Sequence, residues 1–265
     1  MSSGPEWIRP DWPAPDGVRA VFSTRQGPLS GAGVLGASLP PWDHFNLGDH
    51  VGDDASAVSS NRKVLQQALN ARPVFLQQVH GTEVAHLDPL TPDGTVADAA
   101  VTSQSLLACT VMVADCLPVL FTNVSGSVVG AAHAGWRGLA TGVIEHTLAA
   151  LQGQSGCRAS DMLAWLGPCI GPDAFEVGSD VLDAFTALDA GASACFRAQP
   201  DHKYMADLAA LARRRLAQLG VSQIHGNDSS PDWCTVTDSS RFYSYRRDQR
   251  ALGASGRMAA CIWKL

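Results

Sequence analysis

Short hydrophobic runs bounded by glycine, proline or asparagine recur along the chain, which is the pattern of buried β-strands. The clearest runs cover residues 18–22, 73–79, 110–114, 127–132, 163–166 and 258–263. Between them, apolar residues recur at helical spacing and predict helices over residues 56–69, 139–151, 179–188 and 205–219. Because strands and helices interleave without a steady βαβ repeat, the pattern predicts an α+β fold of mixed sheets with flanking helices.

Three of the predicted strands end at residues that commonly bind metals, namely His80, Cys116 and His133. They lack the close pairs of ligands that zinc fingers require, so a structural zinc site is disfavoured. Three nitrogen and sulfur ligands on separate strands would leave a fourth position open, which is the arrangement of a catalytic zinc site. Asp115, the neighbour of Cys116, is then the candidate carboxylate that orients an imidazole.

The same residues fit two other interpretations. In the first, Cys116 is a nucleophile, His133 is its base and Asp115 or another carboxylate orients that base, as in thiol hydrolases. In the second, both histidines are ordinary hydrogen-bonded residues and Cys116 is a small buried hydrophobe. Spacing along the chain does not separate these interpretations from the metal site. A cytidine-deaminase zinc site is excluded, because the sequence contains no H-x-E.

A glycine-rich turn follows His133 and leads into the predicted helix at residues 139–151. The guanidinium of Arg137 and the amide of Gly138 would form an anion site there, suited to phosphate or a carboxylate. The alternative is a tight strand-to-helix turn with Trp136 packed in the core, and it uses the same glycines.

Composition limits the class of protein. The chain has 265 residues, 46% of them hydrophobic, and no linker-like segment divides it, so one large domain is expected over residues 18–265. Residues 1–17, rich in proline and tryptophan, are expected to wrap the surface. The net charge of -6 argues against a nucleic-acid-binding surface.

The expected compartment is the cytoplasm. No signal-like start is present, and no apolar stretch approaches the roughly 18 residues of a membrane helix, so no membrane contact is expected. The seven cysteines contain no C-x-x-C pair, which favours free thiols or metal ligands over disulfides. Residues 31–36 match G-x-G-x-x-G, but Pro40 and Pro41 follow where a helix would be needed, so a phosphate loop is rejected.

Several motifs together resemble the YfiH-type laccase-domain family, in the same order from about residue 18 to the C-terminus. They are FSTR at 22–25, NLG at 46–48, NR at 61–62, QVHG at 78–81, ADCLP at 114–118, AHAGWRG at 132–138, GPCIGP at 167–172 and YSYRR at 243–247. The resemblance implies a single domain with α/β/β/α layers and a metal, zinc or copper in its place, bound by His80, Cys116 and His133. It implies phosphorolysis of purine nucleosides, with adenosine deamination as a second activity. Some members are linked to peptidoglycan-precursor editing, and the family has long been labelled polyphenol oxidase.

The motifs also suggest roles for individual residues in binding a purine nucleoside and phosphate. Cys116, His133 and Asp115 are the candidate catalytic residues, with Cys169 as a second candidate proton shuttle. The substrate pocket is expected to be lined by Arg25, Asn46, Arg62, Gln78, Arg137, Gly138, Tyr243 and Arg246. Neither the motifs nor the composition indicates an oligomeric state.

The oxidase label conflicts with the composition. A multicopper oxidase needs about ten imidazoles, several of them in H-x-H pairs. This chain has eight histidines and no H-x-H. Oxidase activity is therefore attributed to adventitious copper in a zinc-type site, because copper has the higher intrinsic affinity for nitrogen and sulfur ligands. The sequence departs from the family pattern at residues 26–30 and 248–257, which bears on specificity more than on chemistry.

Overall fold

The protein is described by a computed structural model that covers residues 7–28 and 36–265. Apart from Gly36, the rejected phosphate loop at residues 31–36 lies outside the described residues. The strands are β1 (Val18–Phe22), β2 (Arg72–Phe75), β3 (Val84–His86), β4 (Ala99–Thr102), β5 (Leu107–Val113), β6 (Leu117–Asn123), β7 (Val129–Ala134), β8 (Met162–Leu166), β9 (Glu176–Val177), β10 (Phe196–Gln199), β11 (Lys203–Ala206), β12 (Gln223–Gly226) and β13 (Met258–Lys264). The α-helices are α1 (Ala55–Leu69), α2 (Trp136–Thr141), α3 (Val143–Ser155), α4 (Ser179–Thr186), α5 (Leu208–Gln218) and α6 (Arg250–Leu252).

The strands form three sheets. A four-stranded sheet has the order β1-β13-β5-β2, and a six-stranded sheet has the order β12-β8-β6-β7-β4-β3. Both are mixed. In the four-stranded sheet, β2 runs parallel to β5 while β13 is antiparallel to its two neighbours. In the six-stranded sheet, β12 runs parallel to β8 and β3 to β4, while the other pairs are antiparallel. A small third sheet, β10-β11-β9, lies outside this pair.

The two large sheets pack face to face and share one hydrophobic cluster, which includes Phe22, Val111, Leu120 and Trp165. Helix α1 covers the outer face of the four-stranded sheet, and α2, α3 and α5 cover the outer face of the six-stranded sheet. Because each sheet buries one face against the other sheet and one against helices, its strands read as continuous apolar runs. The predicted α+β fold with α/β/β/α layers is confirmed.

Strand β6 is absent from the sequence-based prediction, although all seven of its residues are buried. It begins at Leu117-Pro118, and proline is rare in the middle of a sheet. Pro118 is tolerated because it is the second residue of the strand, where the ladder is only beginning. The helix predicted over residues 139–151 was also wrong in its bounds, since Gly142, with a φ of 106°, separates α2 from α3.

The predicted helix at residues 205–219 begins later than expected. Residues 203–206 form β11, and the side chain of Asp207 caps α5 by accepting from the amide of Ala210 at 2.9 Å. Near the N-terminus, Ile8 pairs with Phe22, and Trp12 packs against the cluster between the sheets. The division into residues 1–17 and 18–265 stays a prediction.

Asn61 on α1 connects this helix to the loop before it. Its Oδ1 accepts from the amide of Ala37 at 2.8 Å, and its Nδ2 donates to Ser38 Oγ at 3.0 Å and to the carbonyl of Asn46 at 2.9 Å. Asn61→Ala should lower the free energy of unfolding by about 2–3 kcal/mol, because buried donors and acceptors lose their partners. Urea titration would measure this, with exposed Gln67→Ala as the control; equal midpoints for the two variants would contradict it.

Candidate metal centre

Three side chains converge at one end of the two large sheets. His80 lies in the turn after β2, Cys116 lies between β5 and β6, and His133 belongs to β7. Their ligand atoms lie within 4.8 Å of one another, and Cys116 Sγ is 3.8 Å from His80 Nε2. Ligands of a tetrahedral zinc ion lie about 3.5 Å apart, given metal–ligand bonds of about 2.0–2.3 Å. The three predicted ligands therefore meet in a group of the right size and chemistry for a metal ion.

Strand register explains two of the three positions. Strands β6 and β7 are antiparallel with Pro118 opposite His133, so the start of β6 lies beside the end of β7. Gly135 follows directly, and a Cβ there would lie 2.9 Å from Cys116 Sγ and 3.0 Å from His80 Cδ2. A glycine is required because any side chain would enter the space between the ligands.

Asp98 is a central residue that the sequence analysis missed. Its fully buried carboxylate is 2.8 Å from His133 Nδ1, which leaves Nε2 of that ring directed to the group. The same carboxylate accepts from the backbone amides of Val79, His80 and Gly81 at 3.1, 2.9 and 2.7 Å. These bonds stabilise the turn in which His80 has a φ of 61°. One side chain thus positions two of the three candidate ligands.

The electrostatic surroundings favour a thiolate at Cys116. Burial would raise the pKa of the thiol, but the neighbouring imidazoles of His133 and His80 outweigh it and lower the pKa to about 6. The same pairing, with the hydrogen bond to Asp98, raises the pKa of His133 to about 9 despite its burial. Burial likewise opposes ionisation of Asp98, yet its hydrogen bonds from His133 and Gly81 keep the pKa of this carboxyl lowered. A thiolate is the form of cysteine that binds metals.

Asp115 has a different role from the one expected. Its carboxylate accepts from Thr235 Oγ1 at 2.6 Å, from Ser244 Oγ at 3.0 Å and from the amide of Arg246 at 2.6 Å. Its bonds therefore tie the β5–β6 turn to residues 235–246, and the carboxylate that orients an imidazole is Asp98. Burial raises the pKa of Asp115 in spite of these bonds.

The group opens into a cavity of about 470 Å³, within the range of small-molecule sites. Of the eight predicted substrate contacts, Gln78, Arg137 and Arg246 line it. Gln78 is also engaged with Met112, donating from Nε2 to its carbonyl at 2.8 Å and accepting from its amide at 2.7 Å. The exposed guanidinium of Arg137 lies over the ring of Trp136, 4.4 Å from the centroid.

The other five predicted contacts do not line this cavity. Arg25 donates to the carbonyls of Asp43 and Ser239, and Arg62 donates to the carbonyl of Leu47 and pairs with Asp49. These two arginines hold loops together. Their expected contacts with the substrate stay a prediction.

Gly138, Asn46 and Tyr243 are buried and structural. A Cβ at Gly138 would lie 2.8 Å from the carbonyl oxygen of Gly81, so this glycine allows α2 to pack against the His80 turn. Asn46 Oδ1 accepts from the amides of Gly48 and Arg257 at 2.9 and 2.8 Å. Tyr243 donates from its hydroxyl to the carbonyl of Trp42. Cys169 is likewise buried and does not line the cavity.

The lining also contains residues that were not among the predicted metal ligands, catalytic residues or substrate contacts. Two of them, His50 and Arg257, add polar groups. The others are apolar or aromatic: Met112, Val113, Ala114, Trp136, Ile170, Phe175, Leu208 and Tyr245. Among the residues that the structure describes, Arg137, Arg246 and Arg257 form no ion pair. Three guanidinium groups that form no ion pair with the described residues therefore face one cavity in an acidic protein. The earlier signal for Arg257 was its place at the end of residues 248–257, where the sequence departs from the family pattern.

Comparison with known proteins identifies the family. A family model described as multi-copper polyphenol oxidoreductase laccase matches residues 19–265. The chain therefore belongs to the laccase-domain family of the YfiH type. Within residues 7–28 and 36–265, His80, Cys116 and His133 are the one group of three or more potential ligands, which is fewer than a multicopper centre requires.

Relatives of known name or structure align over nearly the whole chain. The purine nucleoside phosphorylase YfiH of Escherichia coli is 49% identical over 258 residues, covering 97% of this chain and 98% of the relative. A purine nucleoside phosphorylase of Pseudomonas aeruginosa is 48% identical over 259 residues, with the same coverage. The crystal structure of a Neisseria meningitidis protein superposes with a TM-score of 0.88 at 42% identity, covering 98% of this chain and 99% of that one. No helix among the described residues is long and apolar enough to cross a membrane.

Proposed function

We propose that this protein is a zinc-dependent purine nucleoside phosphorylase, acting as one domain over residues 18–265. The observation that carries the proposal is a single cavity lined by both the candidate metal ligands and three arginines without ion pairs. A phosphorylase needs cationic groups of this kind, since an anionic nucleophile must be held against a neutral nucleoside. The names of the bacterial relatives support the same activity.

The donor set fits zinc. Two imidazoles and one thiolate are ligands that zinc accepts, and copper accepts them as well. When bound there, zinc would act as a Lewis acid on an oxygen of the substrate or of water. Asp98 would keep His133 in the tautomer that presents Nε2, and Gly135 would keep the centre accessible.

In phosphorolysis, the bond between ribose C1′ and purine N9 breaks and a bond between C1′ and a phosphate oxygen forms. The electron pair of the broken bond goes to the base, which gains the proton that hydrogen phosphate loses, so ribose 1-phosphate and free purine result. Phe175 and Tyr245 would pack against the base, because flat apolar surfaces suit a purine ring. The arginines would bind phosphate and stabilise its charge as it approaches C1′.

Adenosine deamination is proposed as a second reaction of the same centre. Water would replace the amino group at C6, giving inosine and ammonia, and a proton must reach the departing nitrogen. Of the two candidate shuttles, Asp115 lines the cavity and Cys169 does not. The specific support for this reaction is therefore one carboxylate beside the metal ligands, within reach of the same substrate.

Incubation with inosine should release hypoxanthine and ribose 1-phosphate only when orthophosphate is present. Removing the metal with a chelator should abolish this release, and zinc should restore it, because the ligands alone offer no Lewis acid. Chromatography of the base and the sugar phosphate would measure both products.

Three outcomes would contradict the assignment. Base release without phosphate would indicate a hydrolase, and phenol oxidation in copper-loaded protein without any nucleoside cleavage would favour a polyphenol oxidase. Hydrolysis of peptidoglycan precursors by metal-free protein would support the thiol hydrolase instead. Heat-denatured protein serves as the blank in each assay.

A further inference from the structure

We infer that Arg257 forms the orthophosphate subsite of the cavity, in place of the site expected at Arg137 and Gly138. This inference rests on the proposed phosphorolysis for its choice of anion. Its geometric basis is independent, because it depends on how Arg257 is held and which of its donors are free.

The guanidinium of Arg257 is fixed by its own backbone segment. Nη1 donates to the carbonyls of Ser255 and Gly256 at 2.9 and 3.1 Å. Among the described residues, none accepts a hydrogen bond from Nε or Nη2, and no carboxylate pairs with the group. Nε and Nη2 form the edge with which arginine binds phosphate or carboxylate through two parallel bonds. A side chain held at one nitrogen therefore offers its bidentate edge to the cavity.

The loop at residues 46–48 is built around Arg257. Asn46 Oδ1 accepts from the amide of Arg257 at 2.8 Å, and the amide of Leu47 donates to the carbonyl of Arg257 at 3.1 Å. A Cβ at Gly48 would lie 2.7 Å from Arg257 Cγ, so the glycine provides the space that the side chain occupies. The motif that predicted a substrate contact at Asn46 thus positions an arginine instead.

Tyr243 packs against the backbone that precedes Arg257. A Cβ at Gly256 would lie 2.6 Å from Cζ of the buried Tyr243 ring, so only glycine allows this close approach. Residues 46–48, Tyr243 and the carbonyls of residues 255 and 256 therefore position Arg257 together. Such a degree of positioning is expected where an anion must be held in one orientation.

The two other arginines of the cavity are less suited to this role. Arg137 is exposed and stacked on Trp136, and no described residue fixes its donors. Arg246 is exposed and donates from Nη2 to the carbonyl of Glu176 at 3.2 Å. Gly138 is buried and does not line the cavity, and α2, which it belongs to, has only six residues.

Calorimetric titration of the zinc-loaded full chain with sodium phosphate tests this assignment. Arg257→Lys keeps the charge but removes the bidentate edge, and Gly48→Ala leaves Arg257 in the sequence but takes its space. Both should weaken phosphate binding by about 10-fold or more, as expected for the loss of a charge-assisted hydrogen bond. Arg158→Gln, at a side chain that is 83% exposed, is the matched control and should bind phosphate as the wild type does.

Adenosine titrations and thermal unfolding of the same variants separate a local effect from a damaged fold. Adenosine binding should change by less than about threefold, which is under 1 kcal/mol. If Arg257→Lys keeps wild-type phosphate affinity, the inference is overturned, whether or not the protein is a phosphorylase. Binding of adenosine 5′-monophosphate but not orthophosphate would also overturn it. If no nucleoside is cleaved but phosphate binding still depends on Arg257, the subsite stands and the reaction is wrong.

Discussion

Cys116→Ser is expected to remove the metal and the activity together. A serine hydroxyl does not ionise near neutral pH and is a poor zinc ligand, so zinc affinity should fall by about 100-fold or more. Phosphorolysis should fall with zinc content, because the remaining two imidazoles would not hold the ion. Elemental analysis after gel filtration, combined with the inosine assay, measures both quantities.

Cys157→Ser is the matched control, since Cys157 is a partly exposed thiol that does not line the cavity. It should retain both zinc and activity. Equal zinc in wild type and Cys116→Ser would exclude Cys116 as a ligand. Zinc-free wild type that loses activity on alkylation of Cys116 would support the thiol hydrolase, in which Cys116 is the nucleophile.

Asp98→Asn is expected to have the second large effect, on metal binding and on stability. An amide has one acceptor oxygen and cannot serve His133 and three backbone amides together. Zinc affinity should fall by about 10–100-fold, the usual result of losing a carboxylate behind a histidine ligand. The free energy of unfolding should fall by about 3–5 kcal/mol, because a buried charged partner is lost.

The control for this variant is Asp88→Asn, at an exposed turn whose carboxylate accepts from the amide of Leu90. Zinc titration with a competing chelator and urea unfolding would be run on both proteins. Wild-type zinc affinity in Asp98→Asn would mean that His133 needs no carboxylate. In that case Asp98 would serve the His80 turn alone.

The candidate metal ligands could be predicted because each lies within two residues of the end of a short apolar run. Histidine and cysteine at such places are unusual enough to be noticed without knowledge of the fold. The role of Asp98 could not be predicted, because a carboxylate between small apolar residues has several ordinary explanations. Only the tertiary structure shows that Asp98 is fully buried beside His133. Strand β6 was not predicted, because a proline such as Pro118 is unfavourable within a strand.

The substrate contacts were less predictable than the ligands. Motif membership identified residues near the site but did not distinguish those that face the cavity from those that support it. Asn46 and Tyr243 turned out to hold the backbone around Arg257, which lies more than half the chain away from Asn46. Contacts of this kind depend on the topology of the chain, and a local pattern of apolar residues does not predict them.

The position of β13 in the four-stranded sheet has a consequence for synthesis of the protein. It lies between β1 and β5, so these two strands cannot pair through it until the ribosome has made residues 258–264. Before then, two strands with buried, apolar side chains present open edges, which are sites of aggregation in incomplete chains. Arg257 directly precedes this strand, so the nascent chain acquires the proposed anion-binding group and the strand that completes the sheet in the same step.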